Sequence, residues 1–484
     1  MIVDLLNNID GYLYFPILVI VLAVAGIYFS VRTKFVQIRL FPNAWKVIME
    51  KPKEKGGVSS FQALMVSTAS RVGTGNIIGV STAICLGGPG AAFWMWVLAI
   101  LGSASAFVET TLAQIYKKRN PNGVGCYGGP EHYIKNVLGK KGLAVVFTVF
   151  LILTYGFGFN MLCSYNVQSS FSVYDFYSES TTPIIVGLVL AVVVLVCILG
   201  GGSRIVKITE IIVPVMGVAY IAVALVIVFS HISNVPAMFS LIFEDAFNFK
   251  AIGSGIAGSC MVYGIKRGLY SNEAGVGSAP HAAAAADITH PVKQGLVAVV
   301  SVSIDTLFLC TATALLCLAS GVTRNTDVAG AEYVQMALST RLHAVGPIFL
   351  TVALALFAFT TLVGNLYYVD TGLKYLHNNK MPEKKAIVIF RIISAAVIFL
   401  GALMPMDACW AVADIMMGGM AIINIPCCII LGGVVFKCCK DYEKQRKAGK
   451  DPVFHASDIG LDPDKLDYWK DDWEHNIPDE LKAE

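Results

Sequence analysis

Long apolar runs separated by shorter polar stretches set the layout of this chain. Runs of spanning length fall at about 12–31, 60–86, 91–116, 142–171, 183–199, 208–229, 250–265, 294–320, 344–368, 386–404 and 407–436. About 20 apolar residues suffice for a helix to cross the hydrocarbon core, so the pattern predicts eleven membrane-spanning helices. The weakest run is 250–265, "AIGSGIAGSCMVYGIK", which is short and rich in glycine. The first run has no basic stretch ahead of it and no small-residue cleavage site behind it, so it reads as a retained helix and not a signal peptide.

The charges between the runs alternate. Arg32, Lys34, Arg39, Lys46, Lys51, Lys53 and Lys55 follow the first run, and every second loop afterwards is also basic, including the one assigned Lys266, Arg267 and Lys293. The loops between them are short or acidic. An excess of Lys and Arg marks the cytoplasmic face, which places the N-terminus outside and the C-terminus inside the cell membrane. Dropping the weak seventh run reverses every downstream loop, so the charge pattern supports eleven. The expected organisation is a first helix with a basic loop (1–59), two five-helix halves (60–249 and 250–440), and a polar cytosolic tail (441–484) that is partly disordered, with Trp469 and Trp473 as its candidate anchors on the protein or its headgroup belt.

Composition agrees with a lipid environment. Hydrophobic residues make up 56% of the chain and charged residues 14%, against about 25% charged in soluble domains. A net charge of +3 without a polybasic stripe gives no case for nucleic acid. Most of the twelve cysteines are scattered through apolar runs and read as small hydrophobes. The adjacent pairs Cys427–Cys428 and Cys438–Cys439 lack metal-site spacing, and lipidation of Cys438 or Cys439 is the alternative their position beside the membrane allows.

One run carries a break at its centre. "VGTGNIIGVS" (72–81) puts Gly73, Thr74, Gly75 and Asn76 inside an apolar segment. Unpaired peptide groups are costly in hydrocarbon, so irregular backbone survives there only where it lines a cavity or is buried in protein. Amides at the start of the second half present positive partial charge to a carboxylate, and carbonyls ending the first half, through Val72, present negative partial charge to a cation. The competing reading is a notch of small residues for close helix packing; spacing alone leaves both open. A dinucleotide loop fails, because Ile78 stands where its third glycine belongs and no strand precedes it. A second interruption is expected at 250–268, which holds five glycines. Interrupted segments at matching positions of two halves are the pattern of inverted-repeat transporters.

Other polar groups lie at membrane depth. Thr360 and Thr361 are paired hydroxyls suited to a hard cation such as Na+, or else back-bonded to the preceding turn. Gln168 and Asn365 can each donate and accept, as a zwitterionic ligand requires, or can join helices. Arg71, Glu109 and Asp305 are ionisable groups inside runs, and Arg71 is the candidate partner of one carboxylate in a gate. The segment "RGLYSNEAGVGSAPHAAAAAD" (267–287) reads as a cytosolic loop leading into a small-residue helix capped by Ser271 or Asn272. His281 and Asp287 are too few and too far apart for zinc, and no nucleophile–base pair is evident.

Taken together, "SRVGTGNIIGVSTAI" (70–84), "LGGPGAAFWMW" (86–96), "ETTLAQIYK" (109–117), "YGGPEHYI" (127–134), "KRGLYSNEAGVGSAPHAAAAA" (266–286), "HPVKQGLV" (290–297), "DTLFLCTATALL" (305–316) and "FAFTTLVGN" (357–365) resemble the alanine/glycine:cation symporter family. The resemblance implies an all-α integral membrane protein with a LeuT-type fold, two inverted five-helix repeats plus one extra helix. It also implies uptake of small neutral amino acids, alanine or glycine, driven by Na+ or H+. By the same resemblance the substrate meets Thr74, Gly75, Asn76, Gln168, Thr361 and Asn365. Na+ meets the carbonyls of Ala69, Val72 and Phe357 and the hydroxyls of Thr360 and Thr361. Where several such carriers have tryptophan after "TxxG" this chain has Asn365, which predicts a larger, more polar pocket admitting serine or glutamine.

Three function classes then compete. An Na+-coupled symporter working by alternating access fits best, with no cofactor beyond the coupling ion and an amino acid and the bilayer as partners. A proton-coupled carrier is the nearest rival through Glu109 and Asp305. A channel is the alternative class, and an enzyme is disfavoured.

Overall fold

The computed structural model describes residues 2–120, 125–199, 202–248 and 259–470. In chain order its principal helices are α1 (Val3–Arg32), α2 (Ser60–Arg71), α3 (Ile78–Gly87), α4 (Ala91–Ile115), α5 (Pro130–Asn136), α6 (Lys141–Ser169) and α7 (Thr182–Ile198). They continue with α8 (Gly202–Ser230), α9 (Cys260–Asn272), α10 (Ala279–Ala284), α11 (Pro291–Ala319), α12 (Val345–Leu376), α13 (Lys384–Gly401) and α14 (Met406–Lys447). A two-residue antiparallel pair, Lys118–Arg119 with Cys126–Tyr127, is the strand structure among the described residues. Seven described helices are long and apolar enough to cross a membrane. Of the other expected runs, 60–86 is divided between α2 and α3, 183–199 and 386–404 form α7 and α13, and part of 250–265 lies outside the described residues.

Local chemistry sets the boundaries near the breaks. Ser59 and Gln62 form a capping box that starts α2, each side chain accepting the other's backbone N–H at 3.1 Å. Ser259 caps α9 by accepting from Val262 N–H. His290 caps α11, with Pro291 at its first position, where a missing N–H costs nothing.

The first break stands where the sequence places it. α2 ends at Arg71, Val72 and Gly73 are extended, Thr74–Asn76 makes one tight turn, and α3 begins at Ile78. Of the second expected interruption, 250–268, the described part is helical. Gly264 and Gly268 sit inside the continuous helix α9, and the chain unwinds instead over 273–278, with Glu273, Gly275 and Gly277 at φ values of 51°, 88° and 94°. The glycines at 264 and 268 serve packing: a Cβ on Gly264 would stand 2.5 Å from the Ala91 carbonyl, and one on Gly268 3.0 Å from Leu98. Four residues apart, they form the small-residue stripe that lets α9 lie close on α4. The other glycines expected to break this run, at 253, 255 and 258, lie outside the described residues.

α9 packs against α3 and α10 against α2, so the two interrupted helices lie side by side with their breaks level. The segment 267–287 is buried along its whole length, which corrects its reading as a cytosolic loop. Neither proposed cap starts a helix after it; Asn272 accepts from Ala274 N–H within the break. Lys266 and Arg267 likewise are not loop charges. They lie in α9, paired with Asp10 and Asp414.

In the tail, Trp469 packs on the protein, one of its two expected anchorages. Residues 451–470 fold back on the protein, and Tyr468 and Trp469 are each 1% exposed; Trp473 lies outside the described residues. All twelve cysteines are buried, Cys438 and Cys439 included, so neither is presented for lipidation.

Candidate functional site

The two breaks face one another, and every residue of 69–77 and 272–278 is buried. Asn76 organises the first. Its Oδ1 accepts the Gly73 N–H at 2.8 Å, and its Nδ2 donates to Asp305 Oδ1 (2.6 Å), to the Asp305 carbonyl (3.1 Å) and to Ser271 Oγ (2.9 Å). In a continuing helix the Gly73 N–H goes to the Ala69 carbonyl. Its diversion to Asn76 leaves that carbonyl without its helical donor. The Asn76 carbonyl accepts from Thr313 Oγ1 at 2.7 Å, and Thr74 Oγ1 accepts from Asn166 at 2.9 Å. Gly75 is required by a close approach: a Cβ there would stand 2.7 Å from the Tyr270 ring. That ring packs on Phe159 and Trp410, with centroids at 4.6 and 4.9 Å.

The threonine pair of α12 separates into two roles. Thr360 Oγ1 donates back to the Phe357 carbonyl at 3.0 Å and to Leu356 at 3.2 Å. The Thr361 hydroxyl is buried without a hydrogen-bond partner and lies directly against Gly73, where a Cβ would meet it at 2.2 Å. One turn on, Gly364 lets α12 touch the backbone of Ala69 and Ser70; a Cβ there would stand 3.0 Å from Ser70 N. α12 therefore touches α2 and its break at two neighbouring points, Gly364 on Ala69–Ser70 and Thr361 on Gly73, and Phe357 and Thr360 lie on the same helix, one turn before Thr361 and Gly364 respectively.

Asn365 and Gln168 are not partners of the unwound residues. Asn365 accepts from Ser70 Oγ at 2.8 Å and donates to Asn160 Oδ1 at 3.1 Å, tying α2, α6 and α12 together. Gln168 accepts from Tyr177 OH at 3.3 Å. The α6 residues that reach the site are Asn160 and Asn166, with Cys163 between them. These three recur every third residue on one face, whereas Gln168 is about 200° round the helix from Asn166.

Three carboxylates brace the breaks. Asp305 accepts from Asn76, Ser271 and Thr306. Glu109 accepts from Gly275 N–H at 3.2 Å and Asn424 Nδ2 at 2.8 Å, holding the second break. Glu273, expected in a loop, is fully buried and touches both breaks, accepting from Ser70 Oγ (3.2 Å) and Ser278 Oγ (2.6 Å). Arg71 lies within electrostatic reach of all three. It makes no ion pair among the described residues, and its Nε, Nη1 and Nη2 have no hydrogen-bond partner. The expected gate pairing of Arg71 with Glu109 or Asp305 is therefore not formed here.

Two buried ion pairs flank the second break instead. Before it, Arg267 Nη2 donates to Asp414 Oδ2 at 2.9 Å, with the guanidinium 3.6 Å above the Trp410 ring. After it, His281 Nε2 meets Glu131 Oε2 at 2.9 Å. The sequence signals for these residues existed, since Arg267, Glu273 and His281 all belong to the 266–286 motif, but a charge beside glycines resembles a loop.

The sequence model of the sodium:alanine symporter family matches residues 1–456. The chain is 41% identical over 462 residues to the probable sodium/glutamine symporter GlnT of Bacillus subtilis, covering 95% of this chain and 94% of the relative. It is 40% identical to the amino-acid carrier protein AlsT of the same organism, covering 96% of this chain and 98% of the relative. Identity to the sodium/alanine symporter AgcS of Methanococcus maripaludis is 37%, covering 92% of this chain and 98% of the relative. Among solved structures, MhsT in complex with L-phenylalanine has a similar fold, with a TM-score of 0.53 at 14% identity, covering 85% of this chain and 92% of that one.

Proposed function

Because the chain belongs to the sodium:alanine symporter family, whose members are transporters and not enzymes, we propose that it carries small neutral amino acids across the cell membrane together with Na+, by alternating access. The observation that carries this reading is the meeting of the two unwound segments, braced by Asn76, Asp305 and Glu273, with the unpartnered Thr361 hydroxyl against Gly73. The substrate carboxylate takes the amides around Thr74 and Gly75. Na+ takes the carbonyls of Ala69, Val72 and Phe357 and the hydroxyls of Thr360 and Thr361, with Thr360 turning from its own helix to do so. Alanine and glycine are the expected substrates, with serine and glutamine also admitted; the similarity to a sodium/alanine symporter and to a probable sodium/glutamine symporter supports alanine and glutamine.

The proposed architecture is eleven spans in a LeuT-type arrangement, two inverted halves at 60–249 and 250–440 after the extra first helix, with the N-terminus outside and the C-terminus inside. Binding of both solutes stabilises the closed form, because Na+ held by oxygen ligands from both α2 and α12 favours the arrangement in which these helices touch. A transporter moves solute only through such differential binding between states. Arg267–Asp414 closes the outer side and Glu131–His281 the inner. A proton-coupled carrier is the second reading, favoured by three fully buried carboxylates beside one arginine.

Counterflow of radiolabelled alanine, glycine, serine and glutamine into proteoliposomes, with Na+ or choline outside, tests the proposal. Saturable accumulation that requires Na+ is expected. Equal flux in choline, or unitary currents in a planar bilayer, would overturn it.

A further inference from the structure

Beyond residue 456 the tail is mostly exposed, yet Ile459, Leu466, Tyr468 and Trp469 are buried against the protein. Trp469 Nε1–H donates to the Gln114 carbonyl in the last turn of α4 at 2.7 Å. Lys117, itself 0% exposed, lies 3.9 Å from the Tyr468 ring centroid and 4.9 Å from that of Trp469, and donates to the Ala286 carbonyl at 3.0 Å. Tyr468 OH donates to Asp287 Oδ1 at 3.0 Å, and Asp467 accepts from Arg119 N–H at 2.9 Å.

Asp287 is where this segment meets both interrupted helices. It stands three residues after α10, and its Oδ2 accepts from Glu54 N–H, in the loop that leads into α2. Its own N–H donates to the Val58 carbonyl at 2.9 Å, and Val58 and Ala286 form a parallel bridge. The start of α2 and the end of α10 are thus joined to each other, to the end of α4 and to the tail. Upstream, Thr289 Oγ1 donates to the Pro452 carbonyl and Phe454 N–H to the Thr289 carbonyl, at 2.8 and 2.9 Å, which roots the segment at the end of α14.

We propose that residues 457–470 are a latch on this face, with Tyr468 and Trp469 as positioning residues that hold the ends of α2 and α10 closed and must release before the breaks open to this side. The inference rests on the alternating-access reading for its role in turnover, but the mechanical coupling does not. Because the latch touches the ends of α2, α4 and α10 and none of residues 69–77, it acts on the rate of opening and not on the chemistry of the site. The Tyr468 hydroxyl and the Trp469 indole N–H are side-chain ties among these, so small substitutions reach the segment without touching the substrate site.

The test uses the full chain in lipid vesicles with Trp469→Leu and, as the gentler variant, Tyr468→Phe. Amide hydrogen exchange is measured over 54–58, 284–290 and 272–278. Losing the indole hydrogen bond together with its cation–π contact is expected to speed exchange of 54–58 and 284–290 about tenfold, and the change should spread to 272–278. Tyr468→Phe should shift the same segments about threefold. In flux assays, half-saturation for alanine offered on the C-terminal face should fall about tenfold in Trp469→Leu while that on the other face rises. Exchange changes confined to 457–470 would overturn the latch, and if Trp469→Leu does not fold, Tyr468→Phe decides by the same criterion. Spread to 272–278 with no amino-acid flux in the unmodified protein would uphold the latch and sink the transport reading.

Discussion

Asn76→Ala isolates the group on which the first break depends. The substitution removes one acceptor and the Nδ2 donor, leaving the buried Gly73 N–H without a partner and Asp305 Oδ1 without its 2.6 Å donor. Asp305 keeps Ser271 and Thr306, so its loss is partial. A buried polar group left unpaired costs about 1–3 kcal/mol, and more when charged, so the two together amount to about 2–5 kcal/mol. The segment can recover part of this by letting the Gly73 N–H return to the Ala69 carbonyl, which extends α2 and occupies an oxygen proposed for Na+. The perturbation should therefore appear in ion binding before it appears in folding. About 2 kcal/mol corresponds to a roughly 30-fold weaker affinity. Reconstituted Asn76→Ala protein is expected to need at least 30-fold more Na+ for half-maximal alanine uptake, with a melting temperature lowered by only a few degrees. Half-saturation for Na+ within twofold of the unmodified protein would show that Asn76 does not shape the site, and the reasoning from its hydrogen bonds would fail.

Other outcomes follow from the same geometry. Thr361→Val should weaken Na+ half-saturation at least tenfold without lowering the melting temperature, because its hydroxyl has no protein partner to lose; Thr360→Val removes a back-bond as well, and should affect both. Gly73→Ala drives a Cβ to 2.2 Å from Thr361 Oγ1 and should abolish Na+-dependent uptake in protein that still reaches the membrane. Asn365→Trp removes the partner of Ser70 and Asn160, so purified protein should melt earlier as well as change its substrate range, measured by competition against labelled alanine. Asp414→Asn leaves the Arg267 charge buried without its counter-charge, at a cost approaching about 3–5 kcal/mol; thermal melting should show the loss, and the paired replacement Arg267→Met with Asp414→Leu should restore most of it.

The first break is legible as a candidate in Gly-Thr-Gly-Asn inside an apolar run, with a packing notch equally open on spacing alone; the bonds of Asn76 to Gly73 N–H and Asp305 are what separate the two. For the second, the described glycines 264 and 268 do not break the helix, because glycine count alone does not separate close packing from unwinding. Gly264 and Gly268 are four apart and mark a helix face laid on α4; Gly275 and Gly277 are two apart, a spacing that puts no common face on a helix, and both take positive φ. The charges of 266–273 were read as loop charges because a sequence does not display their partners, which come from Asp10, Asp414 and Ser70, far along the chain. Gln168 and Asn166 differ only by helical phase, and the face of α6 turned to the site is fixed by packing. The tail looked too polar to fold alone, and it does not fold alone: Lys117 and Asp287 supply the surface that buries Tyr468 and Trp469.

The account depends most on where solute and ion sit. A density map of the protein with alanine and Na+, at a resolution that separates them, tests this most directly. The expected result is the alanine carboxylate within hydrogen-bond distance of the amides at Thr74 and Gly75, with Na+ touching the Thr361 hydroxyl and the Ala69 carbonyl. Alanine bound away from residues 72–77, or Na+ coordinated without any atom of α12, would contradict it.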